Sequence, residues 1–283
     1  MIGVKLMGGL GNQMFQYALG RKMAMKYKTK LVLDLNFYNN QAEIDTPRSY
    51  ELDCYKISAK LFTKPLPTKQ TLIDRLTGKP FFTNWYDEKH YHFDENVFKQ
   101  SDGTLYNGFW QTYKYFESIR AELLSDFELK NTLNEADSRI EKLINQQLSA
   151  SLHVRRGDYV TNKNANEHHG TKTVDYYSLA LQSLQKDVVD FKLFVFSDDI
   201  EWCKANLSRI HPNILFVDDE RPGYIDMHLM KQCSHNIIAN SSFSWWAAWL
   251  NDNPDKIVIA PKQWFIDPNK NTSDVCPASW KLI

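Results

Sequence analysis

The first 35 residues run strand, glycine-rich turn, helix, strand, and this order commits the chain to a parallel sheet. Residues 2–7 read as an apolar strand, ended by Gly8-Gly9-Leu10-Gly11-Asn12-Gln13. A helix is expected over 14–27, where Met14, Ala18, Leu19 and Met25 fall near helical spacing. Leu31-Val32-Leu33-Asp34-Leu35 is the second strand. Strands joined through a helix lie parallel, because an antiparallel pair needs only a hairpin.

The same alternation returns in the second half. Strands are expected at 151–154, 192–197, 214–217, 236–239 and 256–260, the last of the chain. Helices are expected at 176–188, 200–206, 224–233 and 244–250. Tyr177, Leu181, Leu184 and Val188 share one face of the first of these. Between the two alternations, 105–110 reads as a strand, 115–129 as a helix and 136–148 as a polar surface helix. Residues 36–103 carry Pro47, Pro65, Pro67 and Pro80 and few periodic segments. That stretch is expected to wander over one face and shape a pocket. The fold class is therefore α/β, with two Rossmann-like domains, 1–148 and 149–283. Side by side, they face across a cleft at the carboxyl ends of their strands, where ligands bind in such sheets.

Composition limits the partners. At 283 residues, 43% hydrophobic and 24% charged, the chain can bury the cores of two ordinary domains. Its 34 basic and 34 acidic residues cancel, which argues against a broad nucleic-acid footprint. An anionic ligand must be met locally. The opening is a strand rather than a signal peptide, and no apolar run is long enough for a membrane span. Cys54, Cys203, Cys233 and Cys276 lack CxxC spacing and read as reduced, mostly buried thiols of a cytoplasmic protein.

The local candidate for an anion is His153-Val154-Arg155-Arg156-Gly157-Asp158-Tyr159, at the end of a short strand. Adjacent residues leaving a strand point to opposite sides, so one arginine can face a ligand while the other braces the loop. Guanidinium forks hold phosphate bidentately. His153 and Asp158 can read a base, orient an arginine or move a proton.

Three further clusters stand at strand ends. Gly8 to Gln13 lets backbone approach a ligand, with a helix presenting free amides behind it, though taken alone it reads as a tight turn. Its spacing is not that of the dinucleotide fingerprint GxGxxG, which argues against an oxidoreductase. Asn240-Ser241-Ser242-Phe243-Ser244-Trp245-Trp246 offers serines as helix caps and as phosphate donors, with its tryptophans expected in the core. Phe196-Ser197-Asp198-Asp199 and Val217-Asp218-Asp219-Glu220 lack an Asp-x-Asp triplet and read as helix caps or solvated loops. Asp226-Met227-His228, taken alone, reads as a solvated helix face.

Taken together, the opening Gly8 to Ala18 block, the His153 to Tyr159 block, Phe196-Ser197-Asp198-Asp199 and the Asn240 to Trp246 block resemble glycosyltransferase family 11, the α-1,2-fucosyltransferases, in its bacterial form. The four blocks come in the family's order along nearly the whole chain. The resemblance implies a GT-B-like fold and inverting transfer from GDP-β-L-fucose to the 2-hydroxyl of a terminal β-galactoside, in bacterial surface glycan (O-antigen) synthesis. It also implies no metal and no other cofactor. A galactose-terminated oligosaccharide, free or lipid-linked, would be the acceptor. The enzyme would be cytoplasmic, with peripheral contact at the inner membrane left open and no nucleic-acid partner.

By this resemblance Arg155 holds the β-phosphate, helped by Arg156. His153 and Asp226 read guanine, and Ser241, Ser242 and Phe243 surround the pyrophosphate. Asn12, with Gly9 and Gly11, sits where the other domain meets fucose and acceptor. Asp158, His153 and His169 are the candidate general bases, Asp158 first. A fucosyltransferase of another linkage and a non-catalytic nucleotide-sugar binding protein remain alternatives.

Overall fold

The computed structural model describes residues 1–39, 41, 46–64, 66, 79–157, 160, 162 and 170–283. It forms two compact units: Met1–Lys130 with Ser273–Val275, and Asn131–Thr272 with Cys276–Ile283.

The first unit holds a five-stranded, all-parallel sheet in the order β3-β2-β1-β5-β4. Its strands are β1 (Ile2–Lys5), β2 (Leu31–Asp34), β3 (Lys60–Phe62), β4 (Asn84–Asp87) and β5 (Thr104–Asn107). Helix α1 (Leu10–Lys26) lies against β1 and β2. Gly20 permits that approach, since a Cβ there would sit 2.5 Å from Val4 Cγ2. The helix begins at Leu10, one turn before the expected Met14. Gly9 provides no side-chain cap, and the Glu51 carboxylate instead accepts the Leu10 N–H at 2.9 Å. A cap from 41 residues away leaves no local trace.

The stretch 36–103 does more than wander: it supplies the two edge strands of this sheet. β3 pairs with β2 through Val32↔Lys60, and β4 pairs with β5 through Asn84↔Thr104. Both are short and largely solvent-facing, so neither shows an apolar run. The strand expected over 105–110 stops at Asn107. There the Glu88 carboxylate accepts the N–H groups of Phe109 and Trp110 at 2.7 and 2.9 Å, and Trp110 turns at φ 59°. The helix expected over 115–129 is broken into 3₁₀ turns followed by α2 (Arg120–Asp126).

The second unit begins earlier than the expected 148/149 boundary. Helix α3 (Glu135–Asn145) belongs to it, because Glu141 Oε1 lies 2.8 Å from His228 Nε2 on α6 (Gly223–Gln232). The six-stranded parallel sheet runs β11-β10-β9-β6-β7-β8. Its strands are β6 (Ser149–Val154), β7 (Lys192–Ser197), β8 (Ile214–Phe216), β9 (His235–Ile237), β10 (Val258–Ala260) and β11 (Lys281–Leu282). The two-residue β11 was not expected, since both its residues are exposed and it carries no pattern.

Every residue of β6 is buried, and its two faces differ. Ala150, Leu152 and Val154 enter the apolar core with Tyr177, Leu181 and Leu184 of α4 (Val174–Gln185) and Leu207 of α5 (Ile200–Leu207). Ser149, Ser151 and His153 alternate onto the other face. There Asn236 Nδ2 donates to Ser151 Oγ at 2.8 Å, and Asn251 Nδ2 donates to Asn236 Oδ1 at 2.8 Å. Helix α7 (Ser242–Leu250) carries Trp245, Trp246 and Trp249 in the core, as expected, with ring centroids 5.1–6.0 Å apart. Among the described residues, no helix is long and apolar enough to cross a membrane.

Candidate active site

Both sheets reverse direction at their middle, and the expected site residues stand at those reversals. In the second unit the chain fills β6, β7 and β8 outward, then returns to lay β9, β10 and β11 on the other side. The β6/β9 switch point is where ligands bind in open parallel sheets. The loops leaving it carry Arg155 to Gly157 and Asn240 to Phe243.

Two carboxylates hold the arginine pair. Asp198 Oδ1 accepts the Arg156 backbone N–H at 2.8 Å, while Asp198 Oδ2 lies 2.8 Å from Arg155 Nη1. Asp199 caps α5 by accepting the Trp202 N–H at 3.2 Å through Oδ1, and binds Arg156 Nε at 3.0 Å through Oδ2. The Arg156 guanidinium also lies over the Trp202 ring, 4.2 Å from its centroid. Arg156 is therefore the bracing arginine. Arg155, at the same switch point, retains 23% side-chain exposure.

His153 is almost wholly buried, and its Nδ1 makes no hydrogen bond within the described chain. Burial first, then the charge of Arg155, pushes its imidazole pKa down to about 3. The ring is neutral across the physiological range. It sits 5.4 Å from the Phe243 ring. Phe243 in turn meets the start of α6, where a Cβ on Gly223 would lie 3.6 Å from the ring. His153, Phe243 and the first turn of α6, which bears Asp226, are thus brought together.

Asp226-Met227-His228 is not a solvated face. Met227 is buried, and the Asp226 side chain is 27% exposed. Burial raises the Asp226 pKa to about 7, against the lowering effect of Arg221 and with a further rise from Asp137. Ser241 caps α7, its Oγ accepting the Phe243 N–H at 3.3 Å. Ser242 and Phe243 are half-buried at that helix start, where amides lack intrahelical acceptors. Asn240 anchors the loop by donating to Trp264 O at 3.2 Å and Gly170 O at 3.3 Å.

The first unit reverses between β1 and β5. Asn12 stands there, its Oδ1 accepting from Gln111 Nε2 at 2.8 Å. Gly8 turns at φ 76°, and a Cβ on it would lie 2.6 Å from Asn12 Nδ2. Gly9 precedes α1 and Gly11 is buried in its first turn. The amide opening α1 is met by Glu51 rather than presented free. Asp158 and His169, two of the three base candidates, lie outside the described residues. Among the described residues, no three His, Cys, Asp or Glu side chains cluster as metal ligands would.

The family model for glycosyl transferase family 11 matches residues 1–283. The chain belongs to glycosyl transferase family 11. Among curated members, the O-antigen biosynthesis glycosyltransferase WbnK of Escherichia coli is 35% identical, over 94% of this chain and 95% of that one. An alpha-1,2-colitosyltransferase of Escherichia coli is 34% identical, over 100% and 99%. Galactoside alpha-(1,2)-fucosyltransferase 1 of Rattus norvegicus is 26% identical, over 86% of this chain and 61% of the rat protein. The fold is shared with fucosyltransferase NodZ from Bradyrhizobium, at a TM-score of 0.52 and 15% identity, over 87% and 92% of the two chains.

In this family 11 chain, sequence reasoning missed the partners rather than the arginines. Asp199 caps α5 as expected, but Asp198 and Asp199 also fix the two guanidinium groups, which the sequence reading does not anticipate. Their position directly after β7, which pairs with β6, was the available signal. Arg221 was not singled out at all. Gly157 has a steric reason: a Cβ there would sit 2.5 Å from Asp198 Oδ2. Gly157→Ala is expected to displace that carboxylate and cut turnover by roughly tenfold or more, with the fold retained. Steady-state kinetics with circular dichroism checks this; unchanged kinetics would show that Asp198 yields freely.

Proposed function

We propose that this family 11 enzyme transfers L-fucose, with inversion, from GDP-β-L-fucose to the 2-hydroxyl of a terminal β-galactoside in O-antigen assembly. The observation that carries the reading is the Arg155–Arg156 pair at the β6/β9 switch point, fixed by Asp198 and Asp199. The relatives' α-1,2 and O-antigen activities support the linkage and the setting.

The chemistry follows from charge. The acceptor hydroxyl attacks the anomeric carbon, the bond to the β-phosphate oxygen breaks, and GDP leaves with the bonding electrons. Arg155 takes the developing negative charge, and Arg156 contributes to the field from its braced position. The Ser241–Phe243 segment adds amides at the positive end of α7. His153, neutral, and Asp226, ionised, read the guanine edge: a carboxylate accepts from both N1–H and the 2-amino group. Asn12, Gly9 and Gly11 serve the fucose and acceptor side. Asp158 is the proposed base; Asp158→Asn should lose most turnover and the acid limb of the pH–rate profile, and a variant that keeps wild-type turnover and that limb would exclude it. No divalent metal is required in this reading. The enzyme works in the cytoplasm on a galactose-terminated glycan.

A second donor reading follows from the colitosyltransferase, a relative at 34% identity across the whole chain. Colitose is fucose without its 3-hydroxyl. A site that hydrogen-bonds a hydroxyl rejects the analogue lacking it by roughly 10⁴-fold, whereas an apolar site discriminates weakly. Purified protein is to be incubated with lactose and either GDP-fucose or GDP-colitose, with and without EDTA, and the products analysed by mass and linkage. Fucosyl-α-1,2-galactose formed equally in EDTA is expected. Preference for GDP-colitose would move the donor assignment, and loss of activity in EDTA would overturn metal independence.

A further inference from the structure

Arg221 is a cation buried to 2% side-chain exposure, and it faces three carboxylates. Its Nε lies 3.1 Å from Asp137 Oδ1 on α3, itself 4% exposed. Its Nη2 donates to Asp219 Oδ2 at 3.1 Å, in an exposed loop. Its Nη1 lies 3.6 Å from Asp226 Oδ1 on α6 and makes no hydrogen bond. Nε makes no hydrogen bond either, so the wholly buried Arg221–Asp137 contact is an ion pair held by charge, with Asp226 as its third member.

We propose that the buried Arg221–Asp137 pair positions the Asp226 carboxylate and sets the pH range over which the chain binds a guanine nucleotide. This rests on the reading of Asp226 as the guanine contact. An ionised carboxylate accepts two guanine hydrogen bonds, while a protonated one must donate and loses at least one of them. The charged groups facing Asp226 are Arg221 from the loop before α6, Asp137 from α3, and Asp219 behind Arg221. His228, two residues on along α6, is paired with Glu141 of α3 at 2.8 Å. His153 remains neutral and adds no step near pH 7.

The signs separate this role from mere scaffolding. Arg221 favours the charged form of Asp226, and Asp137 opposes it. Asp137→Asn removes a neighbouring negative charge, so the acid limb of GDP binding should move to lower pH. Arg221→Lys keeps the charge but loses the fork, and should weaken binding at pH 8 without that shift.

The test is GDP affinity by titration calorimetry from pH 5.5 to 8.5, for wild type and the Asp137→Asn, Asp219→Asn and Asp226→Asn variants. The nucleotide's own phosphate titration is common to all four. Wild-type affinity should fall by up to tenfold per pH unit below the Asp226 midpoint. Asp137→Asn should bind more tightly than wild type at pH 6 relative to pH 8, and Asp219→Asn should follow wild type. An unmoved acid limb in Asp137→Asn, with Asp226→Asn binding GDP poorly, would overturn this proposal alone. Full GDP affinity in Asp226→Asn would overturn the guanine reading and this proposal with it. If Asp137→Asn fails to fold, the Asp226 carboxyl resonance of the wild type, followed by NMR with pH, decides: a midpoint in the ordinary carboxylate range would sink the idea.

Discussion

Arg155→Ala is expected to lower kcat by about 10²–10³, the usual cost of losing one preorganised donor to a developing oxyanion. Arg155 is such a donor in the function proposed above. Its guanidinium is held by Asp198 Oδ2 at 2.8 Å, so little reorganisation accompanies the reaction. It leaves β6 at the switch point, beside the neutral His153 and the capped start of α7. The charge that forms on the departing β-phosphate grows through the transition state, so kcat should fall more than donor affinity. Arg155→Lys should recover only part of the loss, because an ammonium lacks the planar fork. Arg156→Ala should instead disturb the loop, since its guanidinium is committed to Asp199 and Trp202. The measurement is kcat and KM for donor in each variant under saturating acceptor. Near-normal turnover in Arg155→Ala would remove the central assignment.

The strands and helices that carry apolar runs were legible in the sequence, and those that do not were hidden. β1, β2, β6 and β7 announce themselves because their residues are nearly all buried. β3, β4 and β11 are edge or terminal strands whose side chains mostly face solvent, so periodicity says nothing of them. The placement of α3 also escaped, because the element it packs on is distant in sequence, Glu141 and His228 being 87 residues apart.

The candidate site divides along the same line. His153 stands at the end of β6, Arg155 follows that strand and Ser241 stands soon after β9, so all three could be found by position. Asp198 and Arg221 act through charge pairs closed only by the fold, the first between the loops that follow β6 and β7. Asp226 shows the consequence. Read alone in the sequence it is one polar residue on a helix, whereas burial and Asp137 bring its pKa to about 7.

The second large effect concerns Asp198, which meets both arginines at once. Asp198→Ala removes the Oδ2 contact of the Arg155 fork and the acceptor of the Arg156 N–H. The ion pair is not deeply buried, with Arg155 and Asp198 side chains about a quarter exposed, so the loss of stability should be small. The loss of function should not be small. A guanidinium held less firmly presents its fork in the productive orientation for only part of the time, and turnover is expected to fall by roughly 10–10². Because Asp198 acts through Arg155, the two changes must not add: Asp198→Ala with Arg155→Ala should be no slower than Arg155→Ala alone. That corresponds to a coupling energy of about 1.4–2.7 kcal/mol, within the range for contacting residues. Additive losses in the double variant would mean that Asp198 contacts the substrate itself, and the carboxylate would then have to be counted among the catalytic groups.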